Sequence, residues 1–373
     1  MSTRELRTLL DDAICPPIEG APAVEHYVAP HSIDQAAGIL RSATDHESAV
    51  LFWGGGTNQG QGYPVPADIV MSTHRINSVV AWEPEDLTVV VEAGVKIADL
   101  ESMLAEKGQT AVLPETPGVA TVGGAVAAGA SGWRRLRYGP TRDRVLELIL
   151  ATGDGRVVRS GGRLVKNVTG YDLPRLATGS YGSLGLIGQV CLKLWPLGAR
   201  FSGVPVEDAA VARSTVFRPL AIIESEAGVM VYLAGTPEEI DAQAAALGSS
   251  PVDTPRWPRP LVTPWQLTIR VPAGLTIAAL DRVRSVSGAR FRAAHGTGEV
   301  LMGLVDLSFD WLNETRSWAE SNGGALVVTQ RPVASEGPDP WGSPPASLPL
   351  QEKVKAAFDP LGISNPGRMP GGL

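Results

Sequence analysis

Three glycine-rich stretches carry most of the chemistry open to this chain. The first is Gly54-Gly55-Gly56-Thr57-Asn58, directly after the apolar run Val50–Trp53. Consecutive glycines bring several backbone N–H groups to one point with no Cβ in the way. Such a concave array binds a phosphate or pyrophosphate through the main chain alone, and Thr57 and Asn58 can add side-chain hydrogen bonds. It is neither a GxGxxG fingerprint nor a P-loop, and taken alone a plain glycine-rich turn explains it equally well.

The second stretch runs Pro117-Gly118-Val119-Ala120-Thr121-Val122-Gly123-Gly124. Thr121 is expected to cap a helix whose first turn holds Gly123 and Gly124. Each glycine costs a helix about 1 kcal/mol against alanine, so something bulky is expected against the backbone there. An anion would be favoured by the unpaired N–H groups of a helix start; close packing against another protein segment is the alternative. The third stretch is Gly170-Tyr171-Asp172-Leu173-Pro174, followed by Gly179-Ser180-Tyr181-Gly182-Ser183-Leu184-Gly185-Leu186-Ile187-Gly188. Asp172 ahead of Pro174 reads as a helix cap more readily than as a catalytic acid.

The elements that must position these stretches alternate from Val24 onward. Strands are expected at Val24–Val28, Val50–Trp53, Asp68–Met71, Ser78–Trp82 and Leu87–Glu92, with helices from the cap Ser32 to Arg41 and over Ile97–Lys107. Val145–Ala151 and Arg156–Arg159 flank Gly153-Asp154-Gly155 as a hairpin, and Leu184–Trp195 is a further strand region. After Pro196 the texture changes to strands at Ala221–Ile223, Val229–Leu233, Leu267–Val271, Val300–Val305 and Ala325–Thr329, interleaved with helices at Pro237–Leu247, Ile277–Ser285 and Leu312–Ser321. That pattern predicts a separate α+β unit. A proline-rich connector from Glu336 to Pro349 and a short helix over Gln351–Phe358 close the chain. No internal repeat is evident.

Composition narrows the function classes. The chain has 373 residues, 44% hydrophobic and 19% charged, with 42 glycines and 30 prolines. Its net charge of −7 gives no global reason to bind nucleic acid, and Arg134, Arg135 and Arg137 read as a solvated turn. Cys15 and Cys191 are too few to form a zinc ribbon or to hold an iron–sulfur cluster. The first residues carry acids and lack a long apolar core, unlike a signal peptide. Thr116–Trp133 is uncharged but too rich in glycine and alanine to span a membrane alone. A cytoplasmic location is therefore expected.

The order of the motifs is more specific than any one of them. GGGTN, then P-G-x-x-x-T-V-G-G, then Tyr138-Gly139-Pro140-Thr141-Arg142-Asp143, the Gly-Asp-Gly hairpin and GYDL…GSYGSLGLIG together resemble the FAD-binding domain of the vanillyl-alcohol-oxidase/PCMH flavoprotein superfamily. The similarity covers about residues 24–200. Gly162–Asp172 and the tail Phe358–Met369, with Asn365-Pro366-Gly367-Arg368, are similar to the FAD-binding E subunits of bacterial glycolate oxidases.

The resemblance implies an α+β fold in four parts: a leader over residues 1–23, a two-subdomain PCMH-type FAD-binding domain over 24–200, an α+β cap over 201–335, and a connector with a tail over 336–373 that returns to the FAD domain. FAD is expected to lie extended between the subdomains, its pyrophosphate against the GGGT loop and the TVGG turn and its ring toward the cap. The implied cofactor residues are Gly54, Gly55, Gly56, Thr57, Asn58, Pro117, Gly118, Thr121, Val122, Gly123, Gly124, Ser131, Gly139, Gly182, Leu186 and Ile187. The glycine loop has Thr57-Asn58 where covalent members often carry a histidine, so FAD is expected to be non-covalent.

The resemblance further implies a subunit that oxidises a 2-hydroxy acid such as glycolate together with a catalytic flavoprotein subunit and an iron–sulfur subunit, meeting the inner face of the membrane only through those partners. A self-sufficient FAD-dependent 2-hydroxy-acid dehydrogenase or oxidase is the alternative. It would need a carboxylate clamp, for which Arg270, Arg290 and Arg292 are candidates, although surface arginines are the plainer reading. A flavin-binding scaffold without its own turnover is the third. His295 lacks the second histidine of the metal-binding block found in catalytic members, so no metal site and no catalytic residue are assigned.

Overall fold

The computed structural model describes residues 12–116, 118–162, 171–332 and 337–373. Pro117 and most of the Gly162–Gly170 motif lie outside them. The chain opens with β1 (His26–Val28), α1 (Ile33–Asp45), β2 (Val50–Trp53) and β3 (Ile69–Ser72). Ser32 caps α1, its side chain accepting from Gln35 N. The three strands form a parallel sheet in the order β1-β3-β2. β2 and β3 are buried along their whole length, as strands covered on both faces must be.

The second subdomain is antiparallel. It comprises β4 (Val79–Glu83), β5 (Thr88–Glu92), α2 (Ile97–Ala105), β6 (Gln109–Thr110), α3 (Val122–Ala127), α4 (Arg135–Tyr138), β7 (Val145–Ala151), β8 (Val157–Gly161), α5 (Leu173–Ala177), β9 (Leu186–Lys193) and β10 (Trp195–Pro196). Five of the strands pair in the order β4-β5-β9-β7-β8, and β6 pairs with β10. The apolar run Val89, Val91, Leu148, Leu150, Val190 and Leu192 faces Leu100, Leu104 and Val126 from the helices in one buried cluster.

Strands between residues 200 and 330 build a single eight-stranded antiparallel sheet. Its elements are β11 (Arg200–Val206), α6 (Ala209–Thr215), β12 (Ala221–Ser225), β13 (Gly228–Gly235), α7 (Pro237–Ala246), β14 (Val252–Asp253), β15 (Trp265–Arg270), α8 (Thr276–Arg284), β16 (Arg290–Ala294), β17 (Glu299–Leu304), α9 (Phe309–Ser321) and β18 (Ala325–Gln330). Strand–helix–strand–strand–helix occurs twice, and the two units join where β12 pairs with β16. This topological repeat leaves no visible repeat in the sequence. The pleat sorts side chains strictly by face. Leu267 and Ile269 enter the core under α8 and α9, whereas Gln266, Thr268 and Arg270 on the same strand line a cleft against the N-terminal half. The last helix, α10 (Leu348–Phe358), leads into a tail that packs back against β2.

Candidate cofactor cleft

The loop after β2 sits where three cavities meet. One, with an empty volume of about 660 Å³, is lined by Gly54–Gln59, Thr121, Gly123, Gly124, Gly182, Leu186 and Ile187 among others. It shares Thr57, Asn58 and Ala128 with the cleft under the cap sheet, and Gly54, Gly55 and Thr121 with an outer groove that includes His74. An elongated ligand is the shape that such a chain of cavities accepts.

The donors of this cleft lie in one place. The amides of Gly54, Gly55, Gly56, Thr57 and Asn58 have no acceptor among the described residues. Gly54, Gly55, Gly56 and Asn58 are half-buried and Thr57 is exposed, and five unpaired donors in succession along a cavity wall fit a ligand rich in anionic oxygen such as a pyrophosphate. The close approach that the glycines permit is equally concrete. A Cβ on Gly54 would sit 2.3 Å from Thr121 Oγ1, and one on Gly55 would sit 1.8 Å from the Val119 carbonyl oxygen.

The TVGG turn corrects one expectation. Thr121 caps α3, its side chain accepting from Gly124 N at 3.2 Å. The remaining amides of that helix start are also spent within the protein, Val122 N on Val95 O at 2.9 Å and Gly123 N on Ala93 O at 2.8 Å. Hence they have no free donor for an anion. The glycine at 123 answers to the protein as well, since a Cβ there would lie 2.4 Å from that of Ala93. Close packing between segments explains Gly123; the TVGG turn supplies wall and the GGGTN loop supplies donors.

The other sequence candidates divide cleanly. Ser131 lies in the cap-facing cleft and accepts from Thr141 N at 3.0 Å. Val122 is wholly buried in the core, and Gly118 lines none of the three cavities. Gly139, at φ 77°, ends α4, and its carbonyl accepts from Arg144 at 2.7 Å. Arg144 is 1% exposed and also donates to Val112 O at 2.8 Å, tying two cleft loops together. Burial, with Arg134 nearby, pushes its pKa down to about 10, so it stays charged at neutral pH.

Gln59, Tyr181, Asn365 and Arg368, none of them among the cofactor residues that the resemblance implies, also line the inner cavity. The tail motif around Asn365 and Arg368 was the available signal, but nothing local in sequence says where a tail docks.

The charged candidates find partners. Arg134 is no solvated turn: its Nε donates to Glu115 Oε1 at 2.6 Å and its side chain is 15% exposed. Arg137 donates to Ala234 O at 2.8 Å, bridging to the cap. Arg270 pairs with Glu299, and both Arg290 and Arg292 with Glu226. His295 is buried against Glu224 Oε2 at 2.8 Å and lines a different cavity from the cleft. Asp172 caps α5 by accepting from Arg175 N at 3.0 Å. No helix among the described residues is long and apolar enough to cross a membrane.

Comparison with known proteins names the ligand. Residues 24–161 match the family model described as an FAD binding domain. That match makes residues 24–161 an FAD-binding domain. It is 36% identical over 175 residues to glycolate oxidase subunit GlcD of Bacillus subtilis, covering 45% of this chain and 36% of that protein. It is 33% identical over 186 residues to D-lactate dehydrogenase of Archaeoglobus fulgidus, covering 48% and 41%. The chain thus spans less than half the length of these curated relatives. Against glycolate oxidase subunit GlcE of Escherichia coli the identity is 28% over 347 residues, covering 88% of this chain and 95% of that protein. The fold is shared with alkyldihydroxyacetonephosphate synthase (TM-score 0.67, 15% identity, 92% of this chain and 76% of that one). It is shared too with a BBE-like protein of Physcomitrella patens (TM-score 0.66, 16% identity, 98% of each).

Proposed function

We propose that this chain is the FAD-binding subunit of a complex that oxidises a small 2-hydroxy acid, glycolate being the leading candidate, with a catalytic flavoprotein subunit and an iron–sulfur subunit as partners. The observation that carries the reading is the extent of similarity. The match runs nearly end to end with a GlcE subunit, but covers under half of this chain with GlcD and D-lactate dehydrogenase.

The cleft supports the same reading. When bound, FAD supplies a two-electron acceptor for the hydride of an alcohol carbon. The residues of this chain would hold its pyrophosphate on the amides of Gly54–Asn58, wall it with Thr121, Gly123, Gly124, Gly182, Leu186 and Ile187, and shield it from water under β15 and β17. A self-sufficient dehydrogenase needs in addition a cation to grip the substrate carboxylate. Each arginine proposed for that task is already matched by Glu299 or Glu226.

The purified chain is expected to show negligible glycolate oxidation with an artificial acceptor, and activity should appear when the two partner subunits are co-expressed and co-purify with it. Turnover by the lone chain at ordinary enzyme rates, on the order of 1–10³ s⁻¹, would replace this reading with the self-sufficient dehydrogenase. A flavin that is photoreduced but never passes electrons to co-purified partners would leave only a scaffold role.

A further inference from the structure

The C-terminal tail is built into the nucleotide cleft. Lys355 Nζ is buried between Asp359 Oδ2 at 2.6 Å and the carbonyl oxygens of Ser183 and Ser364, each at 2.9 Å. Asp359 in turn accepts from the amides of Ile363 and Ser364. From that anchor the tail meets the edge of β2 in one parallel bridge at Ser364: Val50 N donates to Ile363 O at 2.8 Å and Asn365 N to Val50 O at 2.9 Å. Asn365 extends the pairing with its side chain, accepting from Phe52 N at 2.8 Å and donating to Tyr181 O at 2.6 Å. The tail therefore ends where β2 turns into the glycine loop.

At that point it delivers Arg368. The side chain is 5% exposed and lines the inner cavity. One terminal nitrogen donates to Asn58 O, Gln59 O and Gln59 Oε1 at 3.3, 3.1 and 2.8 Å. The Nε is buried with no partner among the described residues. Among the described residues no carboxylate forms an ion pair with it, and burial pushes the guanidinium down to about 10, opposed by the Tyr181 phenol. The other arginine that lines these cavities, Arg270, is paired with Glu299. A buried cation without a counter-charge is costly, and this one opens on the same cavity as five unpaired loop amides.

We propose that Arg368 is the counter-charge for the pyrophosphate of the bound dinucleotide, presented by the C-terminal tail, so that docking of the tail and binding of FAD are thermodynamically linked. This rests on the FAD-binding domain alone and not on the substrate or the partners proposed above.

The test uses the full chain stripped of flavin. Dissociation constants are measured for FAD by flavin fluorescence and for ADP, which has the pyrophosphate but no flavin ring, by competition. Arg368→Gln is expected to weaken both by a similar factor, about 10- to 100-fold for a lost charge-assisted hydrogen bond, and Arg368→Lys to recover part of it. Unchanged ADP affinity in Arg368→Gln overturns the proposal, including the case where FAD alone is weakened, which would move the residue to the ring. Should Arg368→Gln fail to fold, amide exchange of the wild-type chain decides. Saturating ADP should slow exchange at Asn365 and Arg368, and unchanged exchange there overturns the linkage.

Discussion

Arg270 and Glu299 stand directly opposite each other on β15 and β17, with Nε 2.9 Å from Oε1, on the wall of the cap-facing cleft. The cation that a hydroxy acid would need is thus cancelled by its cross-strand neighbour.

Removing that neighbour should create the missing clamp. Glu299→Gln leaves the Arg270 guanidinium without its acid while keeping the shape of the side chain. The variant, loaded with FAD, is expected to bind oxalate several-fold more tightly than wild type, read as a perturbation of the flavin visible spectrum. Equal oxalate titrations in the two proteins would mean that Arg270 does not face the ligand space.

Lys355 and Asp359 provide the stability test. Lys355→Met strands a carboxylate that is 2% exposed, a change expected to cost about 3–5 kcal/mol. Adding Asp359→Leu should recover much of the loss, because an unpaired buried charge is worse than none. Urea unfolding of the four proteins of the cycle measures both values.

Gly55→Ala and Gly123→Ala should each lower the stability of the flavin-free protein, by about 1–3 kcal/mol for overpacking. Their new methyl groups would meet Val119 O and Ala93, which belong to backbone or to a buried strand end. Gly118→Ala meets no atom within 4 Å and should leave apo stability unchanged. Thermal melts of the stripped proteins rank the three.

Acid precipitation should release the flavin into the supernatant as FAD. The histidine in the wall of the outer groove is His74, whose Nδ1 lies 3.0 Å from Ser72 Oγ. His74→Ala is expected to remain yellow with the same acid-releasable fraction. Colour that stays with precipitated wild-type protein and is lost in His74→Ala would identify a covalent link there.

Features fixed within a few residues were legible in the sequence. Ser32, Thr121 and Asp172 all cap helices, because an oxygen two or three residues ahead of an open amide is a local relation. The hairpin around Gly153–Gly155 was likewise readable from its turn. Relations that close over long separations were not. β11 and β16 were missed because RFSGVPV and RFRAA lack clean alternation and owe their strand form to neighbours on both sides. The spent amides of Val122 and Gly123 depend on carbonyls at 95 and 93, and the burial of Arg134 depends on its ion pair with Glu115. The cofactor loop was found from its glycines; the residues that complete its cavity, Asn365 and Arg368, lie some 310 positions away.

The bridge between Ser364 and β2 also sets a schedule for folding. The first sheet joins residues near positions 26, 50 and 70 to residue 364, so the free edge of β2 cannot be covered until residue 364 has left the ribosome. Contacts of such long separation form slowly. In the meantime the backbone edge of β2 is exposed, and unpaired strand edges invite aggregation. Residues 359–368 thereby close the edge of that sheet late, and yield of the protein in cells should depend on them more steeply than their small share of the core would suggest.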